Sequence, residues 1–310
     1  MGRYIVIGAG SIGKRHAGNL KELGADVRLL GWRGLSPEDL TGALKGATGA
    51  VIATATEVRL ELVEACAAQE VPIYIEKPIA FRTPDLEALM VAAEPVAERS
   101  VAGYMMRYHP AVRALQEDPI AAYRADFEIG HDVRQWRANW RFADSYAARP
   151  EGGGVLLDLC HELDLAQLLL PGLRLEAVDC IGHADFPGVD FATRISLVNE
   201  SVSATVSMDY LSPKFVRDLR LRGRDGGINL DLLNARQVRW QGDVEDRRDW
   251  TFERNEMFLG LMADFMALAE GRDTSDNPLL PRLDRVQDSA ELIARAWEAR
   301  RFIGKIEGGF

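Results

Sequence analysis

The sequence is poor in residues that cross-link or clamp a chain. Only three cysteines occur, Cys66, Cys160 and Cys180, odd in number, widely spaced and in no CxxC pair. That pattern fits neither a disulfide framework nor a zinc cage, and it suits a reducing compartment. Long apolar runs are also missing. The most leucine-rich stretch, residues 155–170, is broken by Asp158, His161, Glu162 and Asp164, so no membrane partner is expected. Basic charge is in deficit: against 47 Asp and Glu stand 37 Lys and Arg, a net charge of -10. Binding a phosphate backbone needs clustered cations, so no nucleic-acid partner is expected either. Met1-Gly2-Arg3 leads directly into the apolar Tyr4-Ile5-Val6-Ile7, without the regions of a signal peptide, and a cytoplasmic location is the expectation.

What is present is enough apolar material for two domains, 47% of 310 residues. To about residue 118, short apolar runs alternate with helical stretches, as in a parallel sheet covered by helices. The runs Tyr4-Ile5-Val6-Ile7, Val27-Arg28-Leu29-Leu30, Ala50-Val51-Ile52-Ala53, Ile73-Tyr74-Ile75 and Arg99-Ser100-Val101-Ala102 read as strands. Helices are predicted over 12–23, 58–69 and 84–93, the last with Thr83 as N-cap and Pro84 at the first position. Beyond Pro119, alternating segments at 194–198, 201–210 and 219–222 indicate a mostly antiparallel sheet. One helix is inserted over 155–170, and two more, 257–269 and 283–300, close the chain. The fold class is therefore α/β: a doubly wound Rossmann domain, 1–118, followed by an α+β domain with a large, mostly antiparallel sheet, 119–310. A broad apolar face on that second sheet would make the chain a homodimer or homotetramer.

Gly8-Ala9-Gly10-Ser11-Ile12-Gly13 follows the first strand and opens the first helix, the context that gives a GxGxxG motif its meaning. Gly8 allows the tight turn, Gly10 lets the backbone approach a pyrophosphate, and Gly13 lets helix and strand pack, with the helix N-terminus facing the phosphates. NAD-binding versions carry an acid about 20 residues further on. Here the place reads Leu30-Gly31-Trp32-Arg33. Arg33 can meet a 2′-phosphate or stack on adenine, which tilts the cofactor toward NADP over NAD; a solvated loop arginine is the plain alternative.

The fourth run ends in Glu76-Lys77-Pro78 at the carboxyl edge of the sheet, where ligands of open α/β folds bind and where a lysine is placed for acid or base work. On residues 155–170, Asp158, His161 and Asp164 are spaced three apart, so His161 can touch either acid across one helix face. The bland reading is a helix start with Asp158 serving the dipole and His161 in the core. No second His at helical spacing favours a metal. Between His131 and Pro150, Arg134, Arg137, Arg141 and Arg149 interleave with Trp136, Trp140 and Tyr146, a pattern suited to a nucleotide-sugar or to ordinary solvated surface.

Together, the glycine loop, Glu76-Lys77-Pro78, Ile52-Ala53-Thr54-Ala55-Thr56, Gly103-Tyr104-Met105-Met106-Arg107-Tyr108-His109-Pro110 and Gly152-Gly153-Gly154-Val155-Leu156-Leu157-Asp158-Leu159-Cys160-His161 resemble the glucose-fructose oxidoreductase/inositol dehydrogenase/rhizopine catabolism (Gfo/Idh/MocA) family. The segment Trp140 to Arg149 is similar to a branch linked to surface-polysaccharide and nucleotide-sugar metabolism. The resemblance implies an NAD(P)-dependent dehydrogenase acting on a sugar, polyol or nucleotide-sugar. Its catalytic residues would be Lys77, His161 and an aspartate, Asp158 or Asp164. The cofactor would be held by Gly8, Gly10, Ser11, Ile12, Gly13, Arg33, Thr54, Thr56, Glu76 and Lys77, and the substrate by Arg107, Trp140, Tyr146 and Arg149. It departs from the family pattern at three places: Asp158 and His161 are three apart rather than four, Ala55 stands where Pro is usual, and Arg59 where His is frequent. The same resemblance admits an NAD-dependent glycosidase that oxidises transiently, and the fold admits a dinucleotide-sensing regulator.

Overall fold

A computed structural model describes residues 2–136, 141–272, 274 and 277–308. In chain order its first elements are β1 (Arg3–Ile7), α1 (Ser11–Glu22), β2 (Asp26–Leu30), α2 (Pro37–Leu44), β3 (Gly49–Ile52), α3 (Arg59–Ala67), β4 (Ile73–Ile75), α4 (Thr83–Ala93), β5 (Val101–Ala102), α5 (Pro110–Glu117) and β6 (Ala122–Gly130). Then come α6 (Val155–Asp158), α7 (His161–Leu169), β7 (Arg174–His183), β8 (Phe186–Val198), β9 (Ser203–Asp209), β10 (Val216–Gly223), β11 (Gly226–Asp231), β12 (Arg236–Gln241) and β13 (Val244–Asp249). The chain closes with α8 (Arg254–Ala269), α9 (Gln287–Glu298) and β14 (Arg301–Ile306). Two compact units result, Met1–Tyr108 with Glu253–Ala290, and His109–Phe252 with Glu291–Phe310.

The first unit holds a parallel sheet in the order β2-β1-β3-β4-β5. Strands β1, β3 and β4 are buried on both faces, which explains why they read as unbroken apolar runs. Helix α8 belongs to this unit although it lies far along the chain. Tyr4 donates its hydroxyl to Glu270 at 3.1 Å, Phe265 packs edge-on against Tyr4 and Tyr74, and Tyr108 donates to Asp264 at 2.6 Å. The short α2, with Pro37 in its first turn and Ser36 accepting the Asp39 amide, lies in a polar stretch whose periodicity did not announce it. Helix α4 starts one residue earlier than predicted: Thr83 is already helical and Arg82 is the N-cap.

The second unit is built on a nine-stranded sheet, β13-β12-β11-β10-β6-β9-β8-β7-β14, antiparallel except for β6 with β9 and β7 with β14. The Rossmann half plus a large, mostly antiparallel sheet is the fold class expected. Strand alternation buries Phe127, Ile129, Val206, Met208, Leu219 and Leu221 on one face. The opposite positions correct the expectation of an apolar surface. They are Asp126, Glu128, Thr205, Ser207, Asp218 and Arg220, with Arg220 reaching both Glu128 and Asp218. The predicted helix 283–300 is a 3-10 turn, Leu283–Arg285, followed by α9, and residues 301–306, for which no element is predicted, form the edge strand β14.

A further correction concerns 155–170, which is two helices. The turn of α6 closes with the Leu159 amide on the Val155 carbonyl, and Cys160 then starts a fresh turn by accepting the amide of Leu163. The break falls between Asp158 and His161, where the spacing departs from the family pattern, so the two residues do not share one continuous helix face.

His109 caps α5 with Nδ1, which accepts the Ala111 amide, while Nε2 donates to the Leu232 carbonyl at 3.0 Å. The Nδ1 bond requires neutral imidazole, and burial pushes its pKa from 6.5 to about 4 against the Leu232 hydrogen bond, which favours the charged form. The unfolded chain therefore binds this proton first as pH falls from 6.5. Stability from this residue is complete above 6.5 and is lost as pH falls toward 4, by about 3 kcal/mol. Urea midpoints measured across that window should fall steeply in the native protein and less in His109→Asn.

Candidate active site

At the glycine loop the chain turns from β1 into α1. Gly8 has φ +116°, and a side chain there would meet the Ala53 carbonyl. A Cβ on Gly13 would lie 1.7 Å from the Gly8 carbonyl oxygen, so helix and loop touch at a distance that only glycine permits. Gly10 differs: its φ of -73° suits any residue and a Cβ would meet nothing within 4 Å. The N-cap of α1 is Gly10, which has no side chain to cap with, and no acid occupies the first turn. The positive end of the α1 dipole thus lies beside the exposed Ala9, Gly10 and Ser11, with Ile12 in the same turn. Arg33 is exposed in the turn after β2.

The next two strands end beside this loop. After β3, Thr54 has a buried hydroxyl oxygen without a hydrogen-bond partner among the described residues, and Thr56 begins a 3-10 turn. After β4, Glu76 is buried and accepts from His16 Nε2 at 2.6 Å and from the Lys77 amide at 3.2 Å. Burial raises the pKa of this carboxyl, but the His16 hydrogen bond and the charges of His16, Lys77 and Arg59 outweigh it and hold the group below its ordinary value. The Lys77–Pro78 peptide is cis. Arg59, at the start of α3, is also buried. Its guanidinium donates to the carbonyls of Glu76 at 2.5 Å, Thr54 at 2.8 Å, Ile79 at 3.3 Å and Pro78.

In the second unit, Asp158 accepts the hydroxyls of Tyr146 and, at 3.3 Å, of Tyr210. Tyr210 is fully buried, and burial together with the nearby charges of Asp158, Tyr146 and Asp190 drives its hydroxyl well above the ordinary pKa, so it remains a donor. His161 and Asp164 are buried on α7. What holds α6 in place is Asp190, fully buried on β8. Its carboxylate accepts the Leu156 amide at 2.9 Å, the Thr193 hydroxyl at 2.8 Å and Arg300 at 2.7 Å. Gly154 passes so close that a Cβ would lie 2.0 Å from the Asp190 carboxylate, at φ +91°.

The arginine-rich loop is partly neutralised from within. Arg134 pairs with Asp132 at 2.8 Å and Arg141 with Asp144 at 2.9 Å, while Arg149 is exposed and Tyr146 half-exposed. Trp140 and Arg137 lie outside the described residues. Arg107 is buried, with its guanidinium 3.4 Å from the Ser289 hydroxyl and over the Tyr104 ring. Sequence reasoning missed His16, Tyr210, Asp190 and Arg300 as members of these clusters. A histidine beside the buried Ala17 and Leu20, and an aspartate between Val189 and Phe191, were the available signals.

No family model matches the chain, and no curated protein matches its sequence. Solved structures match its fold over nearly its whole length. A UDP-N-acetylglucosamine 3-dehydrogenase from Acidithiobacillus ferrooxidans is 20% identical, with 95% of this chain and 97% of that one covered and a TM-score of 0.74. A 3-ketoreductase from Actinomadura kijaniata, in complex with TDP-benzene and NADP, is 16% identical, with coverage of 97% and 98% and a TM-score of 0.78. An inositol dehydrogenase homolog from Azotobacter vinelandii, complexed with NAD+, is 14% identical, with coverage of 96% and 94% and a TM-score of 0.73. The chain has the fold of these oxidoreductases, as the sequence resemblance implies.

The Gly154–Asp190 contact makes a local prediction. Gly154→Ala should destabilise the protein by roughly 2–4 kcal/mol, since it adds both a strained φ and a clash with a buried carboxylate. A thermal midpoint unchanged from the native protein would show that Asp190 does not fix α6.

Proposed function

We propose that the chain is a Gfo/Idh/MocA-type oxidoreductase that binds NADP or NAD through residues 1–118. It moves a hydride between the nicotinamide and a secondary alcohol of a sugar, polyol or nucleotide-sugar bound through residues 119–310. The observation that carries this reading is the N-terminus of α1: a helix start with neither a capping side chain nor an acid, preceded by Gly10, whose missing Cβ faces open space. The protein's own packing requires glycine at Gly13 but not at Gly10, so a phosphate-bearing ligand is the reason for the latter. The unpartnered Thr54 hydroxyl at the end of β3 offers the ligand a second donor or acceptor. Relatives in fold that act on nucleotide-sugars or carry NADP or NAD+ agree with the reading.

In the mechanism, the amides of Ser11, Ile12 and Gly13 would hold the pyrophosphate, and Arg33 would meet the 2′-phosphate or the adenine, which favours NADP. A bound nicotinamide supplies the hydride acceptor or donor at C4. Lys77 and His161 are the two candidates for the alcohol proton, with Asp158 or Asp164 orienting the imidazole. Asp158 has its own orientation fixed by Tyr146 and Tyr210. Arg107, Trp140, Tyr146 and Arg149 make up the substrate side, and the protein acts in the cytoplasm; the polar open face of the large sheet removes the ground for a homodimer or homotetramer through it.

Two experiments test this. Gly10→Ala should keep the thermal midpoint of the ligand-free protein yet weaken NADPH and NADH binding by roughly tenfold or more, as expected where a backbone has to approach its ligand closely. Equal loss of stability and binding would place Gly10 among structural glycines. A panel of nucleotide-sugars and polyols, followed at the reduced nicotinamide absorbance band, should show turnover that Lys77→Ala and His161→Ala abolish while dinucleotide binding persists. Full activity in both variants would refute the assignment. Substrate cleavage without accumulation of reduced nicotinamide would identify the transient-oxidation glycosidase instead.

A further inference from the structure

We propose that Arg59 is a positioning residue, a cross-brace that sets Lys77 and the dinucleotide edge by fastening the loop after β3 to the turn after β4. The proposal rests on the functional reading above for the ligand, and on geometry for the brace. One guanidinium donates to Thr54 on the first loop and to Glu76, Pro78 and Ile79 on the second, so the carbonyls on both sides of Lys77 are tied to the residue that carries the unpartnered hydroxyl.

The position is costly for an arginine. Arg59 is the first residue of α3, at the positive end of the helix dipole, and it is 3% exposed. Carbonyl oxygens around it and the ionised Glu76 nearby compensate the buried cation there. The same place in members of the resembling family often carries a histidine. An imidazole has at most two N–H donors and a short reach, whereas a guanidinium has five in a rigid fork. A histidine can therefore serve one loop, and Arg59 couples two. Arg59 does not touch the reacting atoms in this scheme; it acts through the main chain of Thr54 and of the residues flanking Lys77.

Arg59→His and Arg59→Lys test the proposal in the full-length protein. Lys77 is followed by competitive acetylation with acetic anhydride across pH, read by mass spectrometry, which needs neither substrate nor cofactor. NADPH and NADH affinities are measured on the same samples by nicotinamide fluorescence, and thermal midpoints control for folding. In both variants the pH profile of Lys77 acetylation should shift, and dinucleotide affinity should fall by about tenfold, as expected when the groups around a reactive site are displaced by a fraction of an ångström. Folded variants with the native Lys77 profile and native affinity would overturn the brace, as would failure of both to fold, which would make the contact a requirement of the fold alone. Wild-type protein that binds neither dinucleotide would instead refute the functional reading, and the Lys77 profile would still decide for or against Arg59.

Discussion

Burying a carboxylate at the carboxyl edge of a parallel sheet requires donors to be brought to it, and in the first unit that requirement ties the strand ends to the helix that follows the glycine loop. Glu76 meets it with the imidazole of His16, which projects from α1, and with the amide of Lys77. The glycine helix and the end of β4 are thereby joined through one side-chain contact of 2.6 Å. Arg59 extends the joint to β3 through carbonyl groups. Glu76, His16 and Arg59 are buried, and each would be left with unmet polar groups if another were removed, so the three behave as a unit.

The second unit solves the analogous problem with Asp190. A fully buried carboxylate is matched by Arg300, by the Thr193 hydroxyl and by the backbone of α6. The consequence is a fixed start for the short helix that presents Asp158, and Tyr146 and Tyr210 then hold that carboxylate by its two oxygens. In both units a buried carboxylate, Glu76 or Asp190, fixes the backbone beside a candidate for the chemistry, Lys77 or Asp158, the arrangement expected where orientation matters more than net stabilisation.

Much of the fold was legible because it depends on local pattern. The runs of β1, β3 and β4 are apolar on both faces and the glycine loop joins strand to helix, so the Rossmann half follows from period and turn chemistry. What was not legible depends on contacts between distant residues. Helix α8 packs in the first unit because Phe265 meets Tyr4 and Tyr74, which periodicity cannot show. The break between α6 and α7 follows from anchoring by Asp190, 32 positions beyond Asp158, and from a turn that restarts at Cys160. The open face of the large sheet carries ion pairs such as Arg220 with Glu128, so the apolar surface inferred from alternation alone was absent. The candidates Lys77, Asp158 and His161 come from motif and resemblance, whereas His16 and Asp190 look like ordinary members of a helix and a strand until the fold pairs them with Glu76 and Arg300.

The central claim, that the bare N-terminus of α1 exists to hold a dinucleotide, is tested most directly by equilibrium titration of the wild-type protein with NADPH and NADH, read by nicotinamide fluorescence and calorimetry. Saturable binding of one equivalent per chain, with NADPH the tighter ligand, is the predicted result. Absence of binding to both would contradict the account.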